Sequence, residues 1–280
     1  MKRLIVNADD FGLHENINDG IIQAHRHGCV TSTTLVAGGN AFEHAARLSE
    51  QYPTLGVGVH LTLVGSHPVS QRDIGSLLNR NGGFWDDYLT FTRHYLQGRI
   101  NAAHIETELS CQLQKAVDHG INISHLDSHQ HLHVLPGFPR IVSRLARKFG
   151  VAKIRIPAEP ISLFYAPNRS WRKFLNRTLL TACARRTRSQ YRCGGLQSPE
   201  HFFGMLSGGQ TTEPALLSII DQLPNGTSEI MVHPGRDNTQ LNAVFHWNYH
   251  WQEELEALRS TVTLTRLQER DIQLINYWDL

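Results

Sequence analysis

The stretch Leu4-Ile-Val-Asn-Ala-Asp-Asp-Phe-Gly12 joins a short apolar run to two adjacent carboxylates and a turn. Leu4 to Ala8 has the composition of a strand buried on both faces. Phe11-Gly12 suits a tight turn after Asp9 and Asp10. Ile17, Ile21, Ile22 and Ala24 then recur on one helical face, which Gly28 closes. Outward from this unit the alternation repeats. Val30 to Val36 is a second strand, followed by Gly38-Gly39 and a helix with Asn40 as its expected cap. Val57 to Leu63 is a third strand, with His60 near its end. Ile105, Leu109, Leu113 and Val117 mark a helix before Gly120, and Ile121 to Leu126 reads as another strand. Ile141, Leu145 and Ala146 form the next helical face, and Val151 to Ile156 is extended. Thr212 is the expected cap of a helix through Leu216, Leu217 and Ile220. Glu229 to Val232 is a strand delivering His233, and Ile272 to Ile275 is a last strand.

This alternation predicts an α/β fold, a parallel sheet covered by helices and either open or closed into a barrel. Both forms place ligands at the carboxyl ends of strands. Asp9 and Asp10, His60, Asp127 with His129, and His233 all occupy such ends. No GxGxxG follows any strand, which weighs against an open dinucleotide-binding sheet. Residues 1–280 read as one domain, with segments 64–100 and 157–211 as long loops or insertions over the active rim.

Of 280 residues, 40% are hydrophobic and 19% charged, which excludes a disordered chain and a coiled coil. The formal charge of +2 gives no general case for nucleic-acid binding. Cys29, Cys111, Cys183 and Cys193 form no CxxC pair and fit reduced thiols. MKRLIVNADD leaves no room for a signal-peptide core, so a cytoplasmic protein is expected. Eight basic residues and no acid lie between Arg169 and Arg192, with Trp171, Phe174, Leu175 and Leu179 as an apolar stripe. Two readings fit that stretch: a helix in peripheral contact with anionic membrane, or an ordinary docked helix with a solvated basic face.

The densest chemical signal is His125-Leu-Asp-Ser-His-Gln-His-Leu-His133. Imidazole and carboxylate are the ligands expected for zinc, nickel, cobalt or manganese. If extended, His125, Asp127, His129, His131 and His133 share a face, and a turn would aim them differently. Asp9 and Asp10 point to opposite sides of a regular strand, whereas a turn at the strand end lets both reach a cavity. One carboxylate would then bind a cation while the other takes a proton. His60 sits in a hydrophobic strand, where a polar group needs a partner. With Asp10 and a histidine of the 125–133 cluster it makes two imidazoles and a carboxylate, leaving positions open for water and substrate. His233, before Pro234-Gly235, is the best isolated acid–base candidate. Arg155 ends another strand and suits orienting an aspartate or an anion.

Val6-Asn-Ala-Asp-Asp-Phe-Gly12, Thr31-Ser-Thr-Thr34, Gly58-Val-His60, Leu126-Asp-Ser-His129 and His233-Pro234 resemble, in that order, the motifs of the YdjC-like carbohydrate deacetylases. That family includes chitooligosaccharide and hopanoid-associated enzymes. The resemblance implies a distorted (β/α) TIM-like barrel related to polysaccharide deacetylases. It also implies removal of acetyl groups from N-acetylated sugars with one divalent ion, magnesium or zinc. By motif, Asp9 resembles the general base and Asp10, His60 and His129 the metal ligands, with His125 and His131 as alternates. His233 resembles the catalytic acid and Arg155 the support of the base. Arg192-Cys-Gly-Gly195 through His201-Phe-Phe-Gly204 is similar to the hopanoid-associated branch, which implies a glycolipid substrate. A homodimer is the assembly considered.

Two other classes compete. A metal-dependent phosphoesterase uses the same ligand types, with two cations about 4 Å apart. A sugar-binding barrel with a vestigial metal site would catalyse nothing, and the intact Asp9 and His233 weigh against it.

Overall fold

In the computed structural model, residues 1–160 and 171–280 are described, with 171–177 known by backbone alone. Pro167, Arg169 and the side chains of Trp171, Arg172, Lys173, Phe174, Leu175 and Arg177 therefore lie outside the description. The strands are β1 (Lys2–Phe11), β2 (Ser32–Leu35), β3 (Gly56–Leu61), β4 (Leu126–Ser128), β5 (His201–Phe203), β6 (Gly226–Val232) and β7 (Ile272–Leu274). They form one parallel sheet in the order β4-β3-β2-β1-β6-β5, with β7 beside the start of β1. Beyond β4, single bridges join Leu126 to Ile154 and Lys153 to Gln197. The chain from Gln197 then leads into β5, so the sheet curls round as a distorted TIM-like barrel.

The helices are α1 (Glu15–His27), α2 (Phe42–Gln51), α3 (Tyr88–Leu96), α4 (Ala102–Asp118), α5 (Phe138–Lys148), α6 (Trp171–Cys193), α7 (Glu213–Asp221), α8 (Asn238–Phe245), α9 (Trp251–Arg259) and α10 (Thr261–Glu269). Helix α1 buries Ile17, Ile21, Ile22 and Ala24, the face its periodicity predicts, and stops at Gly28. Thr212 is the residue before α7, but its side chain makes no capping bond. Helix α2 begins later than Asn40 suggests, after Ala41, whose N–H donates to the Gly12 carbonyl. The expected strand over 121–126 is displaced. Pairing there starts only at Leu126, although the Ser124 N–H already donates to the Val57 carbonyl. Of α6, Thr181, Ala184, Thr187 and Tyr191 are buried, while Arg185, Arg186 and Arg192 are exposed. The Tyr191 hydroxyl donates to the His133 carbonyl, so this part of α6 docks on the barrel and leaves those arginines exposed. Among the described residues no helix is long and apolar enough to cross a membrane.

Alternation along β1 builds two different interiors. Leu4, Val6 and Ala8 join the large apolar layer between sheet and helices. Ile5, on the other face, packs with Ile275 and Tyr277 as a separate apolar floor. Above that floor the inward positions turn polar: Asn7 and Asp9, Thr34, His60, Asp127, Arg155 and Glu229, all buried. A barrel lumen filled with polar groups needs every one of them partnered. That requirement shapes the site.

Candidate active site

Arg155, fully buried, is the hub of the lumen. Its Nη1 and Nη2 each donate to Asp9 at 2.7 Å, Nη1 also meets Asp127 at 2.6 Å, and Nε donates to Glu229 at 2.8 Å. One cation thus faces three carboxylates in a dry environment. Burial opposes ionisation of Asp9 and Asp127, but Arg155 and then His60 outweigh it and hold both below the usual carboxylate range. Glu229 settles differently. Burial, only partly offset by Arg155 and Tyr277, pushes its pKa up to about 7. The Tyr277 hydroxyl, 2.7 Å from Glu229 Oε2, ties this corner to the barrel floor.

Asp9 and Asp10 both face the lumen because the strand breaks its alternation there. Ala8 pairs with Thr33 and Phe11 with Leu35, so two residues of β1 oppose the single Thr34. Asp10 occupies left-handed backbone at φ 72°. This is a bulge, a device that re-aims side chains beside active sites at a cost of roughly 1–3 kcal/mol in strain.

His60 Nδ1 lies 2.7 Å from Asp127 Oδ1, which leaves Nε2 directed at Asp10 Oδ1, 3.7 Å away, and Asp9 Oδ2, 4.0 Å away. Burial would lower the His60 pKa, yet Asp127, Asp9 and Asp10 together raise it to about 9. His129 Nδ1 stands 3.3 Å from Asp10 Oδ1, and the two imidazole centroids are 5.5 Å apart. Among the described residues, that His129 contact apart, neither buried oxygen of Asp10 has a hydrogen-bond partner, and His129 Nε2 has none. Burial opposes ionisation of Asp10 too, but His129, His233 and His60 outweigh it and keep the carboxyl below its usual range.

Asp10, His60 and His129 can each offer one ligand atom within 4.8 Å of the others, and so can Asp9, His60 and Asp127. The second set is committed elsewhere, since Arg155 and Thr34 hold its carboxylates. The first set fits a divalent cation: an unpartnered buried carboxylate faces two imidazoles, one fixed through its other nitrogen by a carboxylate.

The remaining histidines of the 125–133 segment go elsewhere. After β4 the chain enters a tight turn in which Gln130 and His131 are left-handed, which destroys the shared face an extended segment would have. His125 stacks on Tyr277 at 3.5 Å and bonds Ser124, in space that any side chain at Gly58 would fill. His131 packs edge-on to Phe202. Burial lowers the pKa of His125 to about 3 and that of His133 to about 4, and it lowers His131 as well. These three imidazoles are therefore buried and neutral.

His233 follows β6 and completes the rim. Its backbone N–H donates to Glu254 Oε2 at 2.6 Å, its Nδ1 is buried without a partner, and its ring lies 5.1 Å from that of Tyr249. Its charge reaches both Asp9 and Asp10. Sequence reasoning missed Glu229, Tyr277 and Glu254. Glu229 was detectable, because it stands four residues before His233 on the same face of an apolar strand. Tyr277 and Glu254 arrive from outside the strand pattern, and nothing local marks them.

Comparison with known proteins agrees with this geometry. The profile of the family described as YdjC-like protein matches residues 3–269. A carbohydrate deacetylase of Geobacillus stearothermophilus is 33% identical over 98% of this chain and 96% of its own length. A chitooligosaccharide deacetylase of Salmonella typhimurium is 33% identical over 99% of this chain and 98% of its own. A crystal structure from Enterococcus faecalis, provisionally named a cellobiose-phosphate cleavage protein, superposes with a TM-score of 0.79. It is 26% identical and covers 99% of this chain and 98% of that one. With a profile match over residues 3–269 and relatives 33% identical over nearly its whole length, the chain belongs to the YdjC-like family.

Proposed function

We propose that this protein is a metal-dependent hydrolase that removes the acetyl group from an N-acetylated sugar. The observation carrying the proposal is Asp10, buried with both oxygens unpartnered between His60 and His129, beside an Asp9 clamped by Arg155. Asp10, His60 and His129 would hold one magnesium or zinc ion, which when bound polarises the acetamide carbonyl and acidifies water. Asp9 is the general base. Arg155 fixes its orientation and keeps it ionised, at the expense of some basicity. Asp9 Oδ2, bonded to Arg155 alone, retains a lone pair toward the His60 side of the lumen. His233 is the general acid for the departing amine, positioned by the Glu254 bond to its backbone. The deacetylase names of the relatives supply the substrate class.

A lipid-linked sugar of the hopanoid-associated kind is the finer proposal for the substrate, with the basic stretch 169–192 in peripheral contact with anionic lipid. The exposed Arg185, Arg186 and Arg192, beside an exposed Leu179, support it. Sedimentation with anionic liposomes at low salt, reversed at high salt, is the expected result. Absence of binding at low salt removes it.

The competing phosphoesterase needs two cations. Among the described residues the second ligand set is already held by Arg155, which favours the single-ion reading. The test is acetate release from N-acetylglucosamine oligomers by metal-stripped and reloaded protein, run beside a sugar phosphate ester. Turnover of the ester alone, or of neither compound, overturns the proposal.

A further inference from the structure

Trp247 and Tyr249 border the site yet have no task in the scheme above. They belong to Phe245-His-Trp-Asn-Tyr-His-Trp251, where every second residue is aromatic. His246 and Asn248 take left-handed backbone at φ 54° and 53°. The aromatic side chains are buried or half-buried, whereas His246, Asn248 and His250 are exposed. Successive ring centroids lie 4.8 Å (Phe245–Trp247), 5.4 Å (Trp247–Tyr249) and 5.4 Å (Tyr249–Trp251) apart. This ladder runs directly onto the chemistry. Trp247 is 5.6 Å from the His129 ring, tilted by 33°, and Tyr249 is 5.1 Å from the His233 ring.

The wall is held in place at Tyr249. Gly209, left-handed at φ 76°, lies against the Tyr249 ring so closely that a Cβ there would overlap it. The His250 N–H donates to the Gly209 carbonyl at 2.7 Å. Burial, with the carboxylates of Asp10, Glu254 and Asp9, holds the Tyr249 phenol protonated, so it remains a hydrogen-bond donor. Trp247 stays half-buried. A half-buried indole at the edge of the site, with a phenol next to it, suits a ligand with one apolar face and a polar edge. A pyranose ring is such a ligand, with C–H bonds on its face and hydroxyls at its rim. A flexible acetylated amine chain presents no comparable face.

We propose that Trp247, backed by Tyr249, is the platform on which a pyranose ring of the substrate stacks, selecting acetamides carried on sugar rings. The proposal rests on the deacetylase reading for its choice of ligand. Its test is binding, which does not require turnover. N,N′-diacetylchitobiose is titrated by calorimetry and by tryptophan fluorescence into three metal-loaded proteins, Asp9→Asn, Asp9→Asn/Trp247→Ala and Asp9→Asn/Trp247→Phe. Trp247→Ala is expected to weaken binding about 10-fold. Trp247→Phe, which keeps a ring against His129, should retain affinity within about threefold while losing most of the fluorescence change. With Asp9 restored, Trp247→Ala should raise KM by a factor similar to the loss of affinity. Unchanged affinity in Trp247→Ala, equal losses in the Ala and Phe variants, or no binding by any of the three proteins would overturn the platform. Sugar binding that depends on Trp247 without acetate release overturns the deacetylase reading alone. Acetate release with undiminished affinity in Trp247→Ala overturns the platform alone.

Discussion

Arg155 holds both carboxylate oxygens of Asp9 at 2.7 Å, a two-point clamp inside a barrel lumen where neither side chain meets solvent. Two parallel bonds fix a carboxylate in plane and direction, which a single ammonium contact cannot do. Arg155→Lys should therefore keep the charge, misorient Asp9 and lower kcat by about 10-fold or more. Arg155→Met should lower stability by about 3–5 kcal/mol, because it removes the main counter-charge of buried Asp9 and Asp127 and leaves them chiefly His60. Denaturant midpoints and steady-state kinetics measure both. Wild-type kcat in Arg155→Lys would show that the orientation of Asp9 does not matter.

The two adjacent aspartates should separate cleanly. Asp9→Asn is expected to cost ~10²–10⁴-fold in kcat while leaving bound metal near one per chain. Asp10→Asn should instead lose the metal, because its oxygens are the unpartnered ones in the cluster. Metal analysis after gel filtration decides the matter. Loss of the ion from Asp9→Asn with retention in Asp10→Asn would exchange their roles.

His233→Ala tests the acid. An amine is a poor leaving group and needs a proton, whereas an activated acetate ester needs little help. The variant should lose ~10²–10⁴-fold on the sugar acetamide and far less on the ester of the same sugar at saturating metal. Equal losses on both would remove His233 from the acid role.

Stability should respond to pH through the lumen carboxylates in opposite senses. Glu229, raised from its ordinary 4.5 to about 7, binds a proton in the folded protein that the unfolded chain gives up. Its contribution is complete below about 4.5 and lost as pH rises through about 7. Asp127, lowered from 3.8, contributes above that value and loses its contribution as pH falls through its folded pKa. Glu229→Gln should flatten the decline between pH 4.5 and 7.5 by about 1–3 kcal/mol, read from urea midpoints. A decline identical to that of wild type would mean that Glu229 stays ionised throughout.

Much of this arrangement is legible in the sequence because strands announce themselves by apolar runs and their ends carry the chemistry. Asp9, Asp10, His60, His129, Arg155 and His233 all follow that logic. Where the reading stopped, the cause was backbone geometry. The left-handed turn at Gln130 and His131 brings His129, rather than the alternates His125 and His131, beside Asp10, and no residue type in the stretch requires that turn. That both aspartates reach the cavity is expected from a turn at the strand end, but the form of that turn, a bulge with Asp10 left-handed, is not marked by residue type. Asn40 looked like a cap but lies one residue too early, since the Ala41 N–H is already satisfied by Gly12.

The floor beneath the site also orders events in time. Lys2 pairs with Ile272, and the Tyr277 N–H donates to Ser32 Oγ across 245 residues of chain. On the ribosome, Asp9, His60, Arg155 and His233 all emerge before Tyr277 exists to bond Glu229 and seal the lumen from below. Residues 272–277 are thus the last to join the floor beneath the lumen, whose burial raises the Glu229 pKa. Closing so long a loop is slow, so recovery of activity after dilution from denaturant should lag behind recovery of helical signal.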